Sequence, residues 1–438
     1  MDISKNRSQW LTIAYPWIIW SLAACFFFYK YLVQVSPSVM TGDLMKAFSV
    51  NGAGLGNLSA FYFYAYLIMQ IPVGLMLDRY SPRMLTTVAI FICSLSTLIF
   101  SMSHTLWLAC LSRALMGAGA AFAAVSCFKL ASVWFAPKRF AMVSGMFMTA
   151  AMLGAVGGQM PLALLVQNLG WRHGMAIVSL AGLVLGVVYY LVLRDKSIEA
   201  STDTNLPQGM RHQLKHVVSN PQAWALSLFS GLAFAPVSVF GGLWGVPFLE
   251  IAYQLNRTDA ALAVSCIFIG FAAGAPFWGW LSDFIQRRKP ILFIGTTTAL
   301  VCLLIVLYSA QLQLVSLMAL LFCFGFGTSG FFTSFAMIRE LFSLALAATV
   351  LGVMNTFDSV FEALFEPLVG IFLDWTWGGK IIDGVHHFSI QGYHLSLFLL
   401  PASLMLSLIT LWFINETYCG NLKVPAGSKK SRLVAESN

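Results

Sequence analysis

The sequence predicts an all-α membrane protein of twelve transmembrane helices arranged as two related halves. Three observations carry that reading. Of 438 residues, 59% are apolar and only 10% charged, a ratio that the surface of a water-soluble domain does not tolerate. Apolar runs of about 20 residues recur, and each must be helical because lipid offers no partner to a free backbone N–H or C=O. One charged motif also occurs twice, about 205 residues apart: Gly74-Leu-Met-Leu-Asp78-Arg79-Tyr-Ser-Pro-Arg83 closes one apolar run and Gly279-Trp-Leu-Ser-Asp283-Phe-Ile-Gln-Arg287-Arg288-Lys289 closes another.

The twelve runs centre near residues 25, 64, 93, 120, 151, 183, 235, 269, 300, 325, 358 and 403. Residues 11–28 resemble the apolar part of a signal peptide, but eleven further spans follow and no small-residue cleavage site is visible, so the first run is retained as a helix. The second and eighth runs end in the two charged hinges. Between the sixth and seventh lies the longest polar stretch, residues 194–220, rich in Ser, Thr, Asp and Lys, which reads as a solvated linker. The chain thus divides into a six-helix half at 1–193, a linker at 194–220, a second half at 221–417 and a tail at 418–438.

A net charge of +8 raises the question of nucleic acid, but the cations fall in alternate loops. Lys5, Arg7, Arg79, Arg83, Lys138, Arg139, Arg194, Arg287, Arg288, Lys289, Arg339 and the Lys429-Lys430-Ser-Arg432 tail share one side, whereas the other holds only Lys46, Arg172, Arg257 and Lys380. That bias places the basic side and both termini in the cytoplasm, in a bacterial inner membrane, and makes the lipid bilayer the partner in place of nucleic acid. The eight cysteines are scattered through or beside apolar spans, and neither they nor the seven histidines show metal-ligand spacing, so no metal and no cofactor are expected. His386-His387 and His394 read as a solvated outer loop. No GxxxxGK[ST] run supplies an ATPase, and no nucleophile elbow or soluble carboxylate pair supports an enzyme. Energy then comes from a gradient.

The paired Gly-Asp hinges resemble those of the major facilitator superfamily of secondary transporters over nearly the whole chain. In Arg113-Ala-Leu-Met-Gly117-Ala-Gly119, the fourth run is similar to that family's second motif, which associates the Arg with coupling and the glycines with close helix packing. The fifth run departs from the family's antiporter signature. Gly145, Gly154 and Gly158 keep the spacing, but Gln159 stands where the signature has Pro. The resemblance implies that Asp78 faces the start of the eleventh helix near residues 344–347 and Asp283 the start of the fifth near residues 139–142, each latching the outward-open state as a carboxylate at a helix N-terminus. Arg79, Arg83, Arg287 and Arg288 belong to the same gates.

Aligning Gly145 with Gly352 also aligns Thr149 with Thr356, and sets Ala151, Ala155 and Gln159 against Asp358, Glu362 and Glu366. The three acids lie four residues apart along one helix stripe, drifting about 40° per step. A charge at bilayer depth costs at least about 2.5–3.5 kcal/mol, so these groups are expected to face a cavity and carry protons. Lys30, Arg113 and Lys129 are the cations inside spans. Lys30 is too deep for easy snorkelling and shares a helix face with Gln34, while Tyr29 and Tyr31 point to either side. With Tyr62, Tyr66 and Gln70 on the second helix and Asn355 on the eleventh, Lys30 and Arg113 form the expected substrate site. Both signs of charge in one cavity suit a zwitterion or an anion. The expected function is proton-coupled transport of a small polar or zwitterionic metabolite, an amino acid or related nutrient, by a monomer. The stretch from Phe28 to Met40 is similar to a branch of bacterial facilitators that import such nutrients in intracellular pathogens. Efflux of drugs or siderophores, and a receptor that does not transport, are the alternatives.

Overall fold

The computed structural model describes residues 3–135, 137–194, 217, 219–309, 311–342, 347–382 and 384–420. The polar stretch expected as a linker lies mostly outside them, as does the tail beyond Gly420. Within them the chain is almost entirely helical. The first half comprises α1 (Ile3–Val35), α2 (Gly52–Arg79), α3 (Pro82–Met102), α4 (Leu106–Trp134), α5 (Pro137–Gly157) and α6 (Met160–Val192). The second comprises α7 (Pro221–Ala252), α8 (Arg257–Ile285), α9 (Lys289–Tyr308), α10 (Leu314–Leu341), α11 (Ala347–Trp375) and α12 (Ile390–Phe413). A short helix at Thr41–Phe48 and a two-strand hairpin pairing Ile381–Ile382 with Val385–His386 lie between spans.

Nine stretches among the described residues are long and apolar enough to cross a bilayer. One of them, Met142–Val192, holds two spans. Gly170 turns the chain there with φ 78°, a left-handed conformation that glycine adopts without strain. Residues 160–169 therefore continue α5 beyond an interruption at Gly158-Gln159, and the sixth span is the part of α6 after Gly170. The helices α2 and α11 complete the twelve and are absent from that set of nine. They supply most of the polar groups of the central cavity.

The two halves repeat each other in packing as well as in sequence. In the first, α4 crosses α2 where a Cβ on Gly117 would run into the Tyr62 carbonyl, and crosses α3 where one on Gly119 would lie 2.7 Å from the Ala89 carbonyl oxygen. In the second, α10 crosses α8 at Gly325 against the Ile267 carbonyl, and α9 at Gly327, 2.6 Å from the Gly295 carbonyl oxygen. Glycine at these four places lets backbones touch, which is how helices gain contact energy where lipid removes the hydrophobic drive. The hinges repeat too. Arg83 ties the start of α3 to the end of α6 through the Tyr190 carbonyl, at 2.7 Å, and its guanidinium lies 4.6 Å from the Tyr190 ring.

The halves meet closely at the end opposite the charged hinges, called here the far end. A Cβ on Gly56 of α2 would lie 2.5 Å from the Glu366 carbonyl of α11, and one on Gly52 2.8 Å from the Gly370 carbonyl. At the basic end the picture differs. Cβ atoms built on Gly74, Gly145, Gly279 and Gly352, one on each of α2, α5, α8 and α11, meet nothing within 4 Å among the described residues. Replacing Gly117 or Gly325 by Val should therefore overpack a helix crossing and cost about 1–3 kcal/mol, read as a fall of several degrees in the melting temperature of the detergent-purified protein. Gly145→Ala should leave that temperature unchanged, and an equal loss in all three variants would contradict the packing described.

Candidate functional site

Midway along the bundle, α1, α2, α7 and α11 enclose a cavity of about 30 Å³, lined by Lys30, Tyr31, Gln34, Tyr62, Phe63, Tyr66, Phe234, Asn355, Asp358, Ser359 and Glu362. That is room for about two waters, so the aromatic walls must part before a metabolite enters. Lys30, 5% exposed, donates to Gln34 Oε1 at 2.6 Å, the pairing that the shared helix face predicts. Its Nζ also sits 3.7 Å from the Tyr31 ring and 5.0 Å from the Tyr66 ring. No carboxylate lies within 4.0 Å of it among the described residues. Glu362, on the facing wall of the same cavity, is close enough to attract the ammonium through space, but the ammonium's direct contacts are an amide oxygen and π faces, which leaves it incompletely compensated.

The acids of α11 are compensated by hydroxyls. Ser230 of α7 donates to Asp358 Oδ1 at 2.6 Å. Glu362 faces the Ser238 hydroxyl of the same helix, and Glu366 faces the Ser59 hydroxyl of α2. One oxygen of each glutamate, Glu362 Oε1 and Glu366 Oε2, is buried without a hydrogen-bond partner, as is the Tyr62 hydroxyl. Lys30 and the acid stripe make no contact ion pair within 4.0 Å among the described residues, and Glu362 interacts with the ammonium only across the cavity. Unmet polar atoms of this kind in a cavity are groups waiting for a ligand, a proton or water. Tyr66 reaches Asn355 and Gln70 through its hydroxyl, so Gln70 supports the wall from behind.

Arg113 stands apart from the cavity that the sequence assigned it to. Pro37 has no N–H, so the Val33 carbonyl four residues earlier loses its helical partner just where α1 gives way to the 3₁₀ turn Ser36–Val39. Arg113 Nη1 donates to that carbonyl at 3.0 Å and Nη2 reaches the Gln34 and Ser59 carbonyls at 3.4 Å, with the Tyr62 ring 5.0 Å away. Ser36 Oγ donates to the Val33 carbonyl as well, at 2.9 Å. Two of its nitrogens are thus engaged at the broken end of α1, beside Lys30 and Gln34, while Nε has no hydrogen-bond partner and Glu366 is close enough to interact with its charge. Tyr31, expected to point aside, lines the cavity because the long Lys30 stem folds back over its ring. Lys129, the third cation, donates to the Leu77 carbonyl near the basic end of α2.

Of the expected gate residues, the side chains of Asp78 and Arg79 lie outside the described residues, as do residues 344–346 and the side chain of Ala347, which Asp78 was expected to face. Asp283 is exposed and pairs with Arg288 of its own hinge at 2.6 Å. Arg288 also holds Glu340 at the end of α10, at 2.8 Å, and the Ser282 hydroxyl. Glu416 beyond α12 accepts from the backbone N–H groups of Arg288 and Lys289 at 2.9 and 3.0 Å. This network joins three helices of one half, and neither Glu340 nor Glu416 was singled out from the sequence. Arg287 beside it is exposed.

A carboxylate at the N-terminus of a helix in the other half does occur, at the far end. Asp374, near the end of α11, accepts from the N–H groups of Gly52 and Ala53 at 2.9 and 2.7 Å, while Asn51 caps Gly54. Three of the four orphan donors of α2 are thereby met. His386 lies 3.8 Å from Asp374 and stacks on Trp377 with centroids 3.8 Å apart. At the corresponding crossing of α5's continuation and α8, Thr258 donates to Gln167 at 2.9 Å. Arg257 pairs with Asp43 at 2.7 Å nearby. Gln159, in the interruption of α5, accepts from Ser38 at 3.0 Å and donates to the Gly241 carbonyl of α7 at 2.7 Å, a bridge between halves in the place of the missing Pro.

Comparison with known proteins agrees with this architecture. The family model of the Major Facilitator Superfamily matches residues 19–250 and 232–435. The probable L-galactonate transporter of Escherichia coli (strain K12) is 26% identical over 385 residues, covering 82% of this chain and 82% of that protein. The probable hexose phosphate transport protein of Chlamydia trachomatis is 24% identical, covering 59% of this chain and 62% of its own length. The membrane sensor protein UhpC of Salmonella typhimurium is 23% identical over 62% of this chain and 65% of its own. Among solved structures, a bacterial homologue of the human lysosomal transporter Spinster, in an inward-facing and occupied conformation, has a TM-score of 0.77 at 16% identity, over 91% of this chain and 97% of that one. That likeness is one of fold. By sequence match and by architecture, the chain belongs to the major facilitator superfamily and is a multi-pass membrane transporter of that family.

Proposed function

We propose that the protein is a proton-coupled secondary transporter of a small hydroxylated organic acid, with Lys30 as the group that receives the acid's carboxylate or phosphate. The observation that carries this reading is the buried Lys30 ammonium with no carboxylate in direct contact among the described residues, Glu362 acting on it only across the cavity, and with Gln34, Tyr66 and Asn355 around it as hydrogen-bonding groups. The sequence alone favoured a zwitterion such as an amino acid. Relatives named for galactonate, glucarate and hexose phosphate transport move the assignment toward polyhydroxylated anions. Positive-inside bias supports a cytoplasmic basic end in a bacterial inner membrane, and a central cavity lined by residues of a single chain supports a monomer. Lys30→Ala should weaken binding of galactonate at least tenfold, and Lys30→Arg should also impair it because a fork replaces a point charge. Titration calorimetry on the purified variants, with amino acids as parallel probes, decides the class; unchanged affinity in Lys30→Ala would remove this residue from the site.

Proton coupling rests on the acid stripe. An ionised carboxylate whose direct partner is a serine hydroxyl is costly at this depth, so loading and release of a proton at Asp358 or Glu362 changes the energy of the cavity next to the substrate. The Asp358→Asn, Glu362→Gln double variant should lose uphill accumulation in proteoliposomes under an imposed pH gradient while keeping substrate exchange. Continued accumulation would contradict the assignment. The likeness to a membrane sensor favours a second reading, a receptor that binds without transport. Counterflow of labelled substrate in the same vesicles separates the two, since a receptor gives none.

Alternating access follows from the difference between the two ends. The far end is packed across the halves, and the four glycines at the basic end meet nothing within 4 Å among the described residues, which supports an inward-facing arrangement. Asp374 acts as its outer latch, a carboxylate on the α2 dipole worth about 0.3–2 kcal/mol when partly buried. Asp374→Asn should accordingly raise the outward-open population by up to about thirty-fold, measured as reactivity of a single cysteine placed in the far-end vestibule. No change in that reactivity would dismiss the latch.

A further inference from the structure

At the basic end, on the outer surface of the second half, α9 and α12 diverge around a cavity of about 470 Å³ that is separate from the central site. Its walls are Phe293, Leu408, Leu411 and Trp412, and its rim carries Arg287 and Lys289. Phe293 and Trp412 are 55% and 85% exposed, so this face of the bundle looks outward into the bilayer, with its tryptophan at the level where aromatic belts form.

The charges at the rim do not cancel. Glu416 also borders the cavity, but its two oxygens accept from the backbone N–H groups of Arg288 and Lys289 and so neutralise the N-terminus of α9. Asp283 and Glu340 are engaged by Arg288. Among the described residues the Arg287 and Lys289 side chains have no acidic partner. The sequence beyond Gly420 is itself net basic, with Lys423, Lys429, Lys430 and Arg432 against Glu436.

We propose that this cleft binds one anionic phospholipid, with its phosphate between Arg287 and Lys289 and an acyl chain along Phe293, Leu408, Leu411 and Trp412. An apolar cleft open to lipid fills with acyl chain, and basic pockets between membrane helices on the cytoplasmic side select anionic headgroups. The volume lies in the range of small-molecule sites. Because Arg287 adjoins Arg288, the bound lipid grips the hinge between α8 and α9 at the point where three helices of the second half are tied together.

Native mass spectrometry of the full-length protein tests this, with phosphatidylglycerol, phosphatidylcholine of identical chains, and free glycerol 3-phosphate as separate probes. A retained one-to-one phosphatidylglycerol adduct is expected, with little phosphatidylcholine and no glycerol 3-phosphate. The Arg287→Gln, Lys289→Gln double variant should bind phosphatidylglycerol about 10- to 30-fold more weakly, and Leu408→Trp, which fills the cleft while leaving the cations, should weaken it as well. Melting temperatures of both variants in lipid-free detergent, matching that of the unaltered chain, establish that they are folded. Equal retention of the two lipids overturns the proposal. So does undiminished phosphatidylglycerol binding by the folded double variant, whereas glycerol 3-phosphate retained as well as the lipid would assign the rim to a soluble phosphate and overturn the lipid assignment.

Discussion

The central constraint on this molecule is that charge placed at the middle of a lipid-embedded bundle must be compensated from within the protein. Four ionisable groups of the centre, Lys30 and the three acids of α11, have amide oxygen, aromatic faces and serine hydroxyls as their direct contacts, with Lys30 and Glu362 acting on each other only through space. A mutual ion pair would have closed the site energetically. Keeping the charges apart leaves the cation for an anion and the acids for protons, at the cost of groups that are incompletely solvated when the site is empty.

Backbone follows the same rule. Pro37 ends α1 and frees a carbonyl that lipid cannot satisfy, and Arg113, eighty positions later in the chain, supplies the donor. That single substitute for a helical hydrogen bond fixes the level at which Lys30 and Gln34 enter the cavity. The interruption of α5 is treated likewise, with Gln159 bridging to the α7 backbone. The end of α1 and the turn of α7 at Gly241 thus each have a backbone carbonyl met by a polar side chain from another helix.

The repeated hinges, the spacing of apolar runs and the acid stripe made the fold and half of the site legible from sequence, because each is a local pattern with a direct physical meaning. The alignment of Gly145 with Gly352 is matched in space by Thr149 and Thr356, which both donate back to those glycine carbonyls. Relations across the bundle were not legible. Arg113 reads as a cavity cation until its distance to the Val33 carbonyl is known. Tyr31 was set aside on helix angle alone, which ignores how far a lysine stem can bend. Asp374 sits at a helix end beside a loop, and nothing local reveals that the start of α2 lies against it. Gln167 occupies the matching place in the first half, so the far-end contact is charged on one side of the pseudo-symmetry and neutral on the other.

The most direct test of the account is a structure of the protein with a bound sugar acid. The acid group should lie about 3 Å from Lys30 Nζ, the distance of a charge-assisted hydrogen bond, with Gln34 released to a substrate hydroxyl and the aromatic walls of α2 and α7 drawn apart. A bound acid whose carboxylate contacts Arg113 or lies outside the cavity, with Lys30 still on Gln34, would contradict it.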